Sequence, residues 1–248
     1  QLSAKFAVQL DGGEGLAMLE HPHDLWLSAL EQEGECVLAF GLAGCPTQTP
    51  SGAVRLEDGH ALVIAVLELF LDLARPDQTR MRHLLVEYPV AGFVAQVAER
   101  VPLLPIVSGS RNTNSSVLRS RVLHIGAHPQ HETGRVYVGA TPPLGRLDPA
   151  MLRGAAQLAR ERGDGSLRFT PWQSLLLPDI HERDAAEVIH SLENLRLRCS
   201  ADDALAHLIA CTGSAGCGKG QSDTKGDALQ LAALLQRHGQ ILNVHLSG

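Results

Sequence analysis

The stretch Arg135-Val-Tyr-Val-Gly-Ala140, followed by Pro149 to Arg162, Ser166-Leu-Arg-Phe-Thr170, Ser174-Leu-Leu-Leu-Pro178, Glu182 to Leu192 and Leu195-Arg-Leu-Arg-Cys199, decides the fold. Arg135 to Ala140 reads as a strand, and Pro149 to Arg162 as a helix stopped by Gly163. Ser166 to Thr170 and Ser174 to Pro178 read as two further strands. Glu182 to Leu192 puts Ala185, Ala186, Val188, Ile189 and Leu192 at helical spacing. Leu195 to Cys199, short and charged, is the candidate last strand.

That order, β-α-β-β-α-β, is the ferredoxin-like split unit, and it predicts an α+β protein with antiparallel sheets. Upstream, Lys5 to Leu10 is strand-like and runs into the turn Asp11-Gly12-Gly13. Asp24 to Leu30 and Cys36 to Leu42 flank the polar tip Glu31-Gln-Glu-Gly34 as an antiparallel meander. His60 to Ala74 is a helix ended by Arg75-Pro76, and Thr79 to Tyr88 and Val90 to Arg100 are two more around Pro89. Pro102 to Arg121, with the polar run Ser108 to Ser116, reads as a linker. Downstream come a short helix (Asp202 to Ile209), a cysteine loop, a helix (Asp223 to Arg237) and a closing strand (Ile241 to Leu246).

With 248 residues, 44% of them apolar, the chain can bury one large core or two smaller ones. A net charge of −6 argues against a nucleic-acid coat, and no apolar run reaches the roughly 20 residues of a membrane span. The start, Gln1-Leu-Ser-Ala-Lys5, lacks a charged-then-apolar leader and reads as a cut end. Five irregularly spaced cysteines suit a reducing, cytoplasmic setting rather than a disulfide scaffold.

Three groups of residues carry chemistry. Cys211-Thr-Gly-Ser-Ala-Gly-Cys217-Gly-Lys219-Gly220 admits three readings. Gly213 to Lys219 matches a phosphate loop, although Gly220 stands where Mg²⁺ needs a hydroxyl. The C-x5-C pair in a small-residue loop is half an iron–sulfur site, since thiolates there can converge with amide N–H groups aimed at them. Two free loop cysteines are the third reading. In Leu167-Arg168-Phe169-Thr170-Pro171-Trp172-Gln173, strand alternation puts Arg168 and Thr170 on one face with Gln173 past the bend, a set suited to carboxylates or phosphates. Thr79-Arg80-Met81-Arg82-His83 opens a helix with cations, which calls for an anion or for solvent. The twelve histidines show no metal-ligand spacing.

Together these stretches resemble the sulfite/nitrite reductase superfamily and, within it, the precorrin-3B synthases of aerobic cobalamin biosynthesis. Ser3-Ala-Lys5-Phe6 with Asp11-Gly-Gly13, Arg80-Met-Arg82-His-Leu-Leu85, Arg168-Phe-Thr170-Pro-Trp-Gln173 and Cys211 to Cys217 match family motifs in order. Val244-His-Leu-Ser-Gly248 matches the lead into a second, C-x3-C pair. The resemblance implies a tetrapyrrole and iron–sulfur domain over 1–133, a ferredoxin-like half-domain over 134–200, and the start of a second iron–sulfur domain over 201–248. It implies a partial chain, inactive alone, that holds a [4Fe–4S] cluster through Cys211 and Cys217 and takes two more ligands from beyond Gly248. Substrate contacts would be Lys5, also catalytic, with Arg80, Arg82, Arg168, Thr170 and Gln173. Ala7, where sulfite reductases carry a second lysine, favours hydroxylation of precorrin-3A with O2, with electrons from NADH or NADPH or a donor protein. A sirohaem-dependent sulfite or nitrite reductase is the alternative, and a redox-inactive binding fragment a third. Neither nucleic acid nor membrane is an expected partner.

Overall fold

Glu33 and Gly34, at φ 55° and 83°, form a two-residue hairpin turn between β2 (His23–Gln32) and β3 (Glu35–Gly44). Both residues are left-handed, as a type I′ turn requires, and the glycine takes the second position without Cβ strain. The pairing of Gln32 with Glu35 and of Leu25 with Leu42 follows from that turn. β1 (Val8–Asp11) lies parallel to β2, and β4 (Gly52–Arg55) antiparallel to β3, giving the order β1-β2-β3-β4.

The computed structural model describes residues 2–106 and 123–248, and it divides into two compact units, Gln1–Arg119 and Ser120–Gly248. The polar run Ser108 to Ser116 lies outside the described residues.

In the first unit, α1 (Gly59–Leu73) buries Leu62, Ala65, Val66, Leu69 and Phe70, the i, i+3, i+4 stripe that its sequence carries. They join Leu25, Leu27, Leu38, Phe40 and Val54 from the sheet in one core. α2 (Met81–Leu84) and α3 (Val90–Ala98) add Met81, Leu84, Phe93 and Val97. The helix expected over Thr79 to Tyr88 is therefore one turn long, because Arg80 is extended and Asp24 caps Met81 from the sheet.

In the second unit, β5 (Gly126–Pro129), β6 (Arg135–Ala140), β7 (Arg168–Phe169) and β8 (Leu175–His181) form an antiparallel sheet of order β5-β6-β8-β7. α4 (Pro149–Arg162) starts where Asp148 accepts from Ala150 and Met151 N–H at 2.8 Å, with Pro149 in the first turn. α4 and α5 (Ala185–Asn194) bury Met151, Ala155, Ala159, Val188 and Leu192 with the sheet residues Val138, Leu175, Leu177 and Ile180. The β-α-β-β-α order is as expected, but the last strand is not. Leu195 to Cys199 reduces to a single bridge, Thr141 with Arg198, because β5 occupies the edge of β6 from Val136 to Gly139.

The chain ends in a third layer. β9 (Leu208–Ala210) and β10 (Val244–Leu246) pair in parallel, linked through α6 (Thr224–Arg237), over a small core of Ala204, Leu205, Leu208, Ala228 and Leu235. The helix expected over Asp202 to Ile209 is one 3-10 turn, Ala204–His207, after which Leu208 enters the sheet.

Candidate redox site

Cys211 sits just past β9, and its N–H donates to Leu246 O at 3.0 Å, so the parallel pair fixes it. Thr224, at the start of α6 and 2% exposed, donates its hydroxyl to Cys211 O at 2.8 Å. That hydroxyl is 3.6 Å from the Cys211 sulfur. The Lys225 ammonium donates to Ala210 O at 2.8 Å and also to Leu144 O. Hydrogen bonding by Gly248 N–H, then the Thr224 hydroxyl and Gly213 N–H, holds the Cys211 thiol below the usual thiol range, with Lys225 adding a smaller effect. Burial depresses the Lys225 amine, and Arg146 reinforces it.

The loop closes on a glycine. At Gly213, φ is 61° and an added Cβ would lie 2.6 Å from Ser222 O, so no side chain fits there. Gly216 and Cys217 N–H turn back to Gly213 O, and Gly220 N–H to Cys217 O. With those amides satisfied inside the loop, and α6 starting at Thr224 rather than after Lys219, the phosphate-loop reading fails. Cys217 is exposed.

All five thiols are free. Cys36 is exposed on β3, Cys45 is buried 3.2 Å from the Thr47 hydroxyl, and burial pushes the Cys199 thiol up to about 12. Among the described residues no three of His, Cys, Asp and Glu group as metal ligands. Cys211, part-exposed in a small-residue loop, and exposed Cys217 are of the donor type that supplies half the thiolate shell of a cubane cluster.

Arg168, Thr170 and Gln173 share one hairpin. Thr170 N–H donates to Ser174 O at 2.9 Å, and the two hydroxyls bond each other, so the threonine is partly engaged in the turn. Gln173 has φ 58°, and its amide lies over Gly145, whereas Arg168 is exposed. Between them Trp172 stacks on His124, ring centroids 5.2 Å apart at 15°. Burial, with His207 and His128 nearby, lowers the His124 imidazole to about 4. Pro143–Gly145 touches both halves of this unit's site: Gln173 covers Gly145, and Lys225, beside Cys211, grips Leu144.

In the first unit, Lys5 does not lie on a strand. It sits exposed in a turn closed by Phe6 N–H to Ser3 O, because pairing with β2 begins only at Val8. Arg82 is exposed on α2, its guanidinium directed to His83. Arg80 is half-buried and held by Asp24, a β2 carboxylate 2% exposed. Asp24 escaped sequence reasoning, and a carboxylate placed between His23 and the apolar run Leu25-Trp26-Leu27 was its only signal. His23 beside this pair is lowered by burial.

Comparison with known proteins follows this geometry. Residues 1–103 match the model "Nitrite and sulphite reductase 4Fe-4S domain", and residues 128–195 match "Nitrite/Sulfite reductase ferredoxin-like half domain". The chain belongs to the nitrite/sulfite reductase superfamily. It is 31% identical over 234 residues to the chloroplastic ferredoxin–nitrite reductase of Arabidopsis thaliana, covering 89% of this chain and 40% of that one. It is 33% identical over 114 residues to sulfite reductase [ferredoxin] 2 of Mycolicibacterium paratuberculosis, covering 46% of this chain and 20% of that one. The NirA protein of Mycobacterium tuberculosis shares the fold, with a TM-score of 0.71 and 23% identity over 87% of this chain and 40% of that one. The chain thus spans less than half the length of each. Cys211 and Cys217 lie outside both matched segments.

These relatives overturn the expected precorrin-3B synthase, with its precorrin-3A substrate and its O2-dependent monooxygenase chemistry. Ala7 in place of a second lysine therefore does not mark a hydroxylase. That segment is seated through the Ala7 backbone N–H on Asp24, at 2.9 Å, a contact independent of the side chain at position 7. Among the described residues no helix is long and apolar enough to cross a membrane.

Proposed function

We propose that this chain forms part of a ferredoxin-dependent reductase of nitrite or sulfite in which a [4Fe–4S] cluster works beside sirohaem. The observation that carries the reading is Cys211, fixed at the end of a parallel strand pair with its carbonyl held by the buried Thr224 hydroxyl and its sulfur 3.6 Å from that oxygen, with Cys217 across a glycine loop. Cys211 and Cys217 would hold iron, and the bound cluster would supply single electrons to the macrocycle. The other two ligands would come from outside these residues. The names of the relatives favour ferredoxin over NADH or NADPH as donor, and the greater coverage by nitrite reductases favours nitrite.

The chain's own cations bind and orient. Arg168 and Gln173 present a charge and an amide to carboxylates of the tetrapyrrole, with Thr170 bracing the hairpin. Arg80, Arg82 and Lys5 would attract the oxyanion, and the Lys5 ammonium would donate a proton to it. Residues 1–133, 134–200 and 201–248 would be, in turn, a tetrapyrrole and iron–sulfur domain, the ferredoxin-like half-domain and part of a second iron–sulfur domain.

The test is reduction of nitrite and of sulfite by the purified full-length protein, supplied with reduced ferredoxin or with NADPH. Turnover of either anion with ferredoxin supports the proposal. Turnover with neither donor by a protein that carries tetrapyrrole and iron contradicts it, and a protein free of iron and tetrapyrrole is a binding module instead.

A further inference from the structure

Asp24 makes four contacts while almost removed from solvent. Its Oδ2 accepts from Ala7 N at 2.9 Å and from Arg80 Nε at 2.8 Å. Its Oδ1 accepts from Met81 N at 2.8 Å and from Arg80 Nε at 3.0 Å. The carboxylate therefore grips Arg80 by its inner nitrogen alone. Both Nη groups make no hydrogen bond to any described residue and stay open to solvent, in an Arg80 side chain that is 19% exposed. An arginine kept for a structural ion pair commonly presents a two-nitrogen fork to its carboxylate. Here the outer fork is left for something else, and an oxyanion that offers two acceptor oxygens is the partner that fits it. The same carboxylate, through Ala7, seats the turn that carries Lys5.

We propose that Asp24 is a positioning residue that aims the Nη fork of Arg80 at an oxyanion and sets the Lys5 turn beside it. The ligand chemistry is a bidentate oxygen acceptor, either a tetrapyrrole carboxylate or the nitrite or sulfite substrate. This rests on the reductase reading above. Asp24 touches neither ligand; it acts by fixing the torsions of the Arg80 side chain and the approach of the Lys5 segment.

The experiment is a double-variant cycle in the full-length protein: Asp24→Asn, Arg80→Gln and the pair, with Arg80→Lys as a fork-less cation that can still meet Asp24. Three quantities are read: tetrapyrrole bound per chain, KM for nitrite or sulfite, and kcat. If the ligand is the substrate, Asp24→Asn raises KM about tenfold while tetrapyrrole content holds, the scale of one charge-assisted contact. If the ligand is a tetrapyrrole carboxylate, Asp24→Asn lowers the tetrapyrrole content instead. In either case Asp24→Asn adds nothing in the Arg80→Gln background, because its effect runs through Arg80. Effects of full size in that background, or both readouts within twofold of wild type, overturn the proposal. Should Asp24→Asn not fold, Arg80→Lys decides alone: wild-type KM and tetrapyrrole content would overturn it. A wild-type protein devoid of tetrapyrrole and of anion turnover fails at the earlier step and removes the reading on which this one rests.

Discussion

Replacing Thr224 by valine and by serine separates a hydrogen bond from a methyl group at the root of the cysteine loop. Thr224 is 2% exposed, and its hydroxyl donates to Cys211 O at 2.8 Å. Valine keeps the shape but removes the hydroxyl of a buried side chain and leaves that carbonyl without its donor, a loss of about 2 kcal/mol. Serine keeps the donor and removes one methyl, a loss of about 1 kcal/mol. With a urea m-value of roughly 1–3 kcal/mol/M, valine lowers the unfolding midpoint of the second unit by about 1 M. Serine lowers it by about half as much. Urea unfolding followed by circular dichroism and by Trp172 emission measures both. If the valine variant is as stable as wild type, or more stable than the serine variant, the hydroxyl does not organise the loop and the local account is wrong.

Further outcomes follow from the same geometry. Gly213→Ala, with a left-handed φ and a Cβ 2.6 Å from Ser222 O, should destabilise the second unit by about 2–4 kcal/mol, against little change for an alanine at exposed Gly218; urea midpoints compare the two. His124 has a folded-state value of about 4 against 6.5 for the free side chain, so the unfolded chain takes up the proton first. Stability of the second unit is therefore full above pH 6.5, falls as pH drops toward 4, and levels below it; His124→Phe flattens that slope in pH-dependent urea titrations followed by Trp172. In the metal-free protein a thiol reagent should modify exposed Cys36 and Cys217 fast, Cys211 more slowly, and buried Cys45 and Cys199 only on unfolding, as mass spectrometry of timed samples would show.

The elements legible in the sequence are those whose boundaries are local. Asp148-Pro149 and Gly163 bracket α4 by capping alone, and Glu33-Gly34 sets the hairpin by φ alone. What escaped depends on distant partners. Gly126-Ala-His-Pro129 has no β-branched residue, yet it takes the edge of β6 that Leu195 to Cys199 was expected to hold. Leu208 and Ile209 read as the tail of a helix until Val244 to Leu246 returns to pair with Leu208 to Ala210. The cysteine loop was visible from its glycines, but Lys225 and Thr224 were not, because their roles come from the first turn of α6 meeting the end of β9. Asp24 is the sharpest case, a carboxylate whose four contacts come from residues 7, 80 and 81.

Iron and acid-labile sulfide in the anaerobically purified full-length protein, compared between Cys217→Ser and Cys36→Ser, test the cluster assignment most directly. The account predicts about four iron and four sulfide per chain in wild type and in Cys36→Ser, and loss of both in Cys217→Ser. A Cys217→Ser protein that keeps its full iron and sulfide would contradict it.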